Sequence, residues 1–160
     1  MSNQPSSSPE SPPYVLALDE GEALLLGARR APVFLKLTPE TGSTRLSAIL
    51  ERVVPGDRVP VHLHEDADEV LFIHAGEGYE ILGEEEHAVR SGSLVFVPRG
   101  TWHGLRNTSE VEDLVLLVVY SPPGFEGFFR ACGTKPGEEW IEPTADEWVG
   151  IRKRFKYRVP

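Results

Sequence analysis

Residues 56–76 read GDRVPVHLHEDADEVLFIHAG, and residues 92–107 read GSLVFVPRGTWHGLRN. The first stretch holds His62 and His64 two positions apart, with Glu69 five further on. On an extended strand, residues i and i+2 point to the same face, so His62 and His64 reach one point from one side of a sheet. The second stretch adds His103 after a Pro98-Arg99-Gly100 turn. Three imidazoles and a carboxylate are a donor set suited to a borderline divalent ion.

Outward from these stretches, the chain reads as short β-branched and apolar runs separated by turn residues. The expected strands are 24–26, 33–37, 45–54, 59–63, 69–75, 78–82, 86–89, 93–97, 104–107 and 113–120. The separators include Thr41-Gly42, Pro55-Gly56, Gly76-Glu77-Gly78, Gly83, Ser91-Gly92 and Pro98-Arg99-Gly100. Strands this short with no helical stretch between them point to an all-β antiparallel sandwich or barrel. Closing it as a jelly roll removes exposed strand edges. Within 69–75, Glu69, Leu71 and Ile73 share one face, while Val70, Phe72 and His74 share the other. That parity puts Glu69 inside and His74 outside. His87, next to Glu84-Glu85-Glu86, reads as exposed, and the acidic run 65–68 as a solvated turn.

Residues 1–13 are Ser-, Pro-, Asn- and Gln-rich and read as a disordered leader, with 14–18 as an alternative edge strand. Residues 14–122 form the β-barrel domain and 123–160 a helical extension on it. Phe125, Phe128 and Phe129 have helical spacing before Gly133. Thr144 with Glu147 forms a capping box ahead of the stripe Trp148, Ile151 and Phe155. These read as short C-terminal helices packed outside the barrel.

The chain has 160 residues and a formal charge of −9. That size suits one domain with a real core. The acidic balance argues against a nucleic-acid partner, which needs a basic stripe. The longest apolar run, 114–119, is far short of a bilayer span, so no membrane partner is expected. The N-terminus has no apolar secretory stretch, and the single Cys132 cannot form an internal disulfide. Both point to a cytoplasmic protein. Cys132 reads as a packed helix residue.

The spacings Gly56-x5-His62-x-His64-x4-Glu69-x6-Gly76 and Gly92-x5-Pro98-x-Gly100-x2-His103-x3-Asn107 resemble the two motifs of the cupins. The turns His64-x3-Asp68-Glu69 and Pro98-x-Gly100-x-Trp102-His103, with Pro123-Gly124-Phe125-Glu126, are similar to small single-domain members near the quercetin-dioxygenase-like branch. The resemblance implies a double-stranded β-helix, the cupin jelly-roll barrel. It implies His62, His64, Glu69 and His103 as ligands of one divalent transition metal ion: Fe, Mn, Ni, Cu, Co or Zn. It further implies a quercetinase-like dioxygenase acting on a small phenolic or enolisable compound, with dioxygen as co-substrate and Glu69 as ligand and catalytic base. The alternatives are a non-catalytic, metal-dependent small-molecule binding cupin, and a sugar isomerase. The isomerase would need inward basic residues, for which Arg45 and Arg52 are the candidates, on opposite parities. Trp102 and Tyr79 are candidate pocket residues. A homodimer is expected, because strand 69–75 is apolar on both faces.

Overall fold

The computed structural model describes residues 12–160. The expected leader therefore lies almost wholly outside the described residues. Residues 14–18 form no strand. They are held against the sheet instead: the Tyr14 hydroxyl donates to the Lys36 carbonyl at 3.0 Å, and the Lys36 ammonium donates to the Ala17 and Glu20 carbonyls.

The ten expected strands are all present. They are β1 (Glu22–Leu26), β2 (Ala31–Leu37), β3 (Ser47–Val53), β4 (Arg58–His64), β5 (Asp68–Ala75), β6 (Glu77–Leu82), β7 (Glu85–Arg90), β8 (Leu94–Val97), β9 (His103–Asn107) and β10 (Leu114–Ser121). The expected helices follow as α1 (Glu126–Cys132) and α2 (Ala145–Arg154). Thr144 caps α2: its side chain accepts from the Glu147 amide, and the Glu147 carboxylate accepts from the Thr144 amide at 2.8 Å. Two further strands of two residues each, β11 (Gly133–Thr134) and β12 (Tyr157–Arg158), carry no pattern that a sequence could show.

The strands form two antiparallel sheets, ordered β11-β1-β2-β3-β10-β5-β8 and β12-β4-β9-β6-β7. This is the double-stranded β-helix architecture, with both α-helices at the C-terminal end and a single 3-10 turn at Pro39–Thr41 between β2 and β3. The C-terminal segment adds one short strand to each sheet, through β11 on β1 and β12 on β4. Between the sheets lie Val33, Leu35, Ile49, Ile73, Leu105, Leu114, Leu116 and Val118, all essentially buried. Each such side chain stabilises the fold by roughly 1.5–3 kcal/mol through removal from water.

Two local devices set the strand ends. Gly76 turns the chain at φ +86°, and a Cβ there would lie 2.6 Å from the Asp113 carbonyl oxygen, so only glycine fits. Asn107 is buried: its amide donates to the Val53 and Glu112 carbonyls at 2.8 Å each and accepts from the Ser109 amide at 2.9 Å. It thus ties β9 to the end of β3 and to the 108–113 loop.

Candidate metal centre

The two sheets bring the four histidine and glutamate side chains together. His62 and His64 lie on β4, and His62 stands directly opposite His103 of β9. Glu69 comes from β5 in the other sheet, paired with Val97 and Tyr120. All four are buried, and one ligand atom from each lies within 4.8 Å of the rest. The turn before His103 is clamped to both ligand-bearing neighbours. The Gly100 amide donates to the His64 carbonyl at 2.7 Å, and the Arg99 amide and guanidinium donate to the Asp68 carboxylate at 2.9–3.0 Å. Arg99 in turn holds the Asp68 carboxyl down at about 2.

Hydrogen bonds set the ring orientations. His62 Nδ1 donates to the Pro60 carbonyl at 2.8 Å and His103 Nδ1 to the Thr101 carbonyl at 3.0 Å. A carbonyl only accepts, so both rings carry a proton on Nδ1 and turn Nε2 to the centre, as the outer hydrogen bonds of metal-binding histidines do. His64 Nδ1 has no partner. At the centre, His62 Nε2 is 3.2 Å from His64 Nε2, His64 Nε2 is 3.2 Å from Glu69 Oε2, and His103 Nε2 is 2.8 Å from Glu69 Oε2.

The donor set fits a divalent ion. A shell with metal–nitrogen distances of about 2.0–2.1 Å places adjacent ligands about 3 Å apart when the angles are near 90°, the separation found here. Burial opposes charge on Glu69, but hydrogen bonds from His103 and His64 outweigh it and hold the carboxyl well below its ordinary range. Burial, then the neighbouring His103 and His64, push His62 down to about 3, leaving its Nε2 lone pair free. Burial also works against a charged His103, yet Glu69 raises it overall.

Comparison with known proteins agrees with the geometry. The Cupin domain family model matches residues 49–120, which carry both motifs and all four candidate ligands. The chain is a cupin. It is 32% identical to the protein TT1209 of Thermus thermophilus, whose structure superposes with a TM-score of 0.53 over 61% of this chain and 88% of that one. An RmlC-like cupin from Shewanella frigidimarina NCIMB 400 superposes with a TM-score of 0.58 at 20% identity, over 69% of this chain and 90% of that one, a likeness of fold. Among curated proteins, quercetin 2,3-dioxygenase of Bacillus subtilis (strain 168) is 32% identical over 106 residues, covering 66% of this chain and 31% of that protein. The chain spans 48% to 64% of the length of three other curated relatives.

Beside the centre, this cupin has a partly open cavity of about 400 Å³. Its walls include Leu71, Leu105, Leu116 and Phe125, together with His62, Glu69 and His103. The C-terminal segment supplies an aromatic wall on the ligand rings. Tyr157 stacks on His62 at 4.8 Å, and Phe125 meets His64 edge-on at 4.2 Å. Trp140 and Trp148 also line the cavity. Packing is thus one role of these aromatics, and shaping the cavity is a second.

Two further buried carboxyls line the cavity that the sequence reading did not single out, Glu51 of β3 and Glu80 of β6. Glu80 is fully buried and neither carboxyl oxygen has a partner. Burial, with the nearby Glu69 charge adding to it, pushes Glu51 up to about 8. Burial likewise pushes Glu80 up to about 8, against the attraction of His103. Parity offered a signal for Glu51, which shares its face with Ile49 and Val53. For Glu80 the signal pointed the other way, because Tyr79 and Ile81 look like the inward pair.

Among the other candidate residues, Tyr79 faces out, with the Arg106 guanidinium 5.2 Å from its ring centre, so it is not a pocket residue. The register opposes Glu80 to the buried Leu105, which sends Glu80 in and Tyr79 out. Trp102 precedes β9 and is not among the cavity walls. His74 and His87 are exposed, as expected. Arg45 is exposed and Arg52 pairs with Asp113 at 3.6 Å. In the 65–68 turn, Asp66 pairs with Lys156 at 2.7 Å and Glu65 with Arg158, linking the turn to the β12 end of the chain. Cys132 is buried on α1, and burial pushes its thiol up to about 12. No helix among the described residues is long and apolar enough to cross a membrane.

Proposed function

We propose that this cupin is a metal-dependent dioxygenase acting on a small phenolic or enolisable compound. The observation that carries the reading is the convergence of His62, His64, Glu69 and His103 at one buried point beside an apolar cavity. The partial likeness to a quercetin dioxygenase supports it. The four residues would hold one divalent transition ion. When bound, that ion supplies a Lewis acid that lowers the pKa of a substrate hydroxyl and a redox centre for oxygen chemistry.

The chain's own residues do the rest. Glu69 accepts the substrate hydroxyl proton at its carboxylate, a base role compatible with its position at the centre. Pro60 and Thr101 carbonyls keep His62 and His103 turned inward. Leu71, Leu116 and Phe125 hold the substrate's apolar body and exclude water. For an isomerase acting on a sugar phosphate, Arg45 is exposed and Arg52, which lines the cavity, is paired with Asp113, while Arg152 of α2 also lines it; the quercetin dioxygenase likeness favours the oxygenase reading.

Oxygen uptake tests the proposal. Chelated protein reloaded singly with iron, manganese, nickel, copper, cobalt or zinc is screened against phenols, flavonols and diketones. Oxygen consumption with at least one ion, lost in Glu69→Gln while metal content is kept, is the expected result. Binding of these compounds with no oxygen consumed under any ion would replace the enzyme reading with a non-catalytic binding cupin.

We also propose that the chain forms a homodimer through the outer face of the β5–β8 edge. Phe72, Leu94 and Phe96 are 40%, 65% and 56% exposed on it, and β8 ends its sheet with an edge unpaired among the described residues. An exposed apolar edge strand of this kind pairs readily with a second copy of itself.

A further inference from the structure

The cavity beside the candidate metal centre has a second polar feature that the centre does not use. Glu80 projects from β6 and Glu51 from β3, so the two carboxyls enter one cavity from opposite sheets. Glu80 is 0% exposed, and both of its oxygens lack a hydrogen-bond partner. An unpaired buried carboxyl is a costly arrangement, typically destabilising by one to several kcal/mol, about the desolvation penalty of the group. No hydrogen bond within the described fold offsets it. A ligand that supplies the missing hydrogen bonds does.

Position and surroundings define that ligand. In the β6–β9 register, Leu82 faces His103 and Glu80 faces Leu105, so Glu80 stands one diagonal step from a candidate metal ligand. Diagonal neighbours of this kind lie about 7–8 Å apart, with their Cβ atoms somewhat closer. A compact ring can therefore span from the centre to the Glu80 carboxyl. Most of the remaining wall is apolar, Leu71, Leu105, Leu116 and Phe125 included, which suits a ring's faces; Asp57, Arg58 and Arg152 also line it. A ligand carboxylate or phosphate set against Glu80 and Glu51 would be desolvated beside other acidic groups. Hydroxyl groups, which both donate and accept, match a carboxyl in either protonation state.

We propose that Glu80, assisted by Glu51, is a specificity-determining residue that selects a polyhydroxylated ring. One ring hydroxyl faces the metal centre and a second is hydrogen-bonded by the Glu80 carboxyl. This deepens the phenol reading of the proposed function and rests on it. It adds that one hydroxyl is not enough and that methylating the hydroxyls abolishes recognition.

The test is a binding measurement on the full chain, as purified and after chelation. The probes are catechol and its dimethyl ether, 1,2-dimethoxybenzene, measured by calorimetry on wild type, Glu80→Met and Glu80→Gln. Wild type binds catechol at least about tenfold more tightly than the ether, with or without metal, because the ether cannot donate to the carboxyl. Glu80→Met brings the two affinities to within about threefold. It also raises the thermal midpoint of the unliganded protein, because an unpartnered buried carboxyl has been replaced by an apolar chain of similar length. Glu80→Gln keeps a hydrogen-bonding amide and most of the preference for catechol, and serves as the folded control.

Two results overturn the proposal. One is undiminished catechol preference in Glu80→Met. The other is a lowered midpoint in Glu80→Met with a native-like Glu80→Gln, which would make the carboxyl a structural group. Because the chelated protein reports on the carboxyls alone, this outcome is separable from failure of the oxygenase reading, which oxygen uptake decides.

Discussion

Replacing Glu51 by glutamine tests whether this cupin keeps a proton inside its barrel. Glu51 is buried on β3 and faces the cavity, and burial pushes its carboxyl from an ordinary 4.5 up to about 8. The sign follows from proton counting. Below about pH 4.5 the residue is protonated in both folded and unfolded chains and costs nothing. Between 4.5 and 8 the unfolded chain releases the proton while the folded chain retains it, so stability falls as pH rises. Above about 8 both states are ionised and the cost levels off. At 1.36 kcal/mol per pH unit, the penalty approaches about 3 kcal/mol at pH 7 and about 5 kcal/mol at its plateau. Glutamine has the shape of the protonated carboxyl and cannot titrate, so Glu51→Gln carries none of it.

The assay is urea unfolding of wild type and variant at pH 5, 6, 7, 8 and 9, after chelation. All other ionisable groups are common to both proteins, and the difference between the two curves cancels them to first order. The expected difference grows by about 1 kcal/mol per pH unit from pH 5 to 8 in favour of Glu51→Gln and then flattens. A gap that stays constant within about 0.5 kcal/mol across that range would refute the retained proton. It would mean that water or a neighbouring group solvates the Glu51 carboxylate in the folded protein.

The other predictions address the centre and the scaffold. Adding a divalent transition ion to chelated protein raises the unfolding midpoint in a differential scan, by about 2.7 kcal/mol of stability at a hundredfold excess over the dissociation constant, and His103→Ala abolishes the response. Metal affinity, measured by competition with a chelator, weakens as pH falls, because the Glu69-stabilised proton on His103 competes with the cation; the limit is about tenfold per pH unit for one proton. Asn107→Ala loses three hydrogen bonds and leaves two carbonyls and an amide unpaired in a buried site, so urea unfolding shows a loss of about 2–3 kcal/mol. If the proposed homodimer forms, Phe96→Glu, on the exposed outer face, leaves only monomer in sedimentation analysis without lowering the stability of the monomer by more than about 0.5 kcal/mol, and a wild type that sediments as a monomer refutes it.

Much of this protein is legible in its sequence. The alternation of apolar residues and the turn glycines locate all ten main strands, because each turn needs a local backbone geometry that its own residues supply. Gly76, with its positive φ and its close approach to Asp113, is such a case. The two-residue spacing of His62 and His64 is likewise a local rule, and the same alternation puts Glu69 on one face of β5 with Leu71 and Ile73. The family motifs add His103, whose distance along the chain no periodicity can bridge.

Other features exist only once the sheets close. Alternation states which residues share a face, but it does not say which face is inside. On β6 the apolar pair Tyr79 and Ile81 competes with Glu80, and the pairing of Glu80 with buried Leu105 settles it in favour of the charged residue. The aromatic wall is equally invisible beforehand. Tyr157 reaches His62 because β12 pairs with β4, a contact made by chain reversal across most of the molecule. Sequence by itself determined the strands and the four candidate ligands, since those depend on local geometry and recurring spacing. Tertiary structure alone decided that two more buried carboxyls share their cavity, because only long-range packing determines which polar groups are taken out of water together.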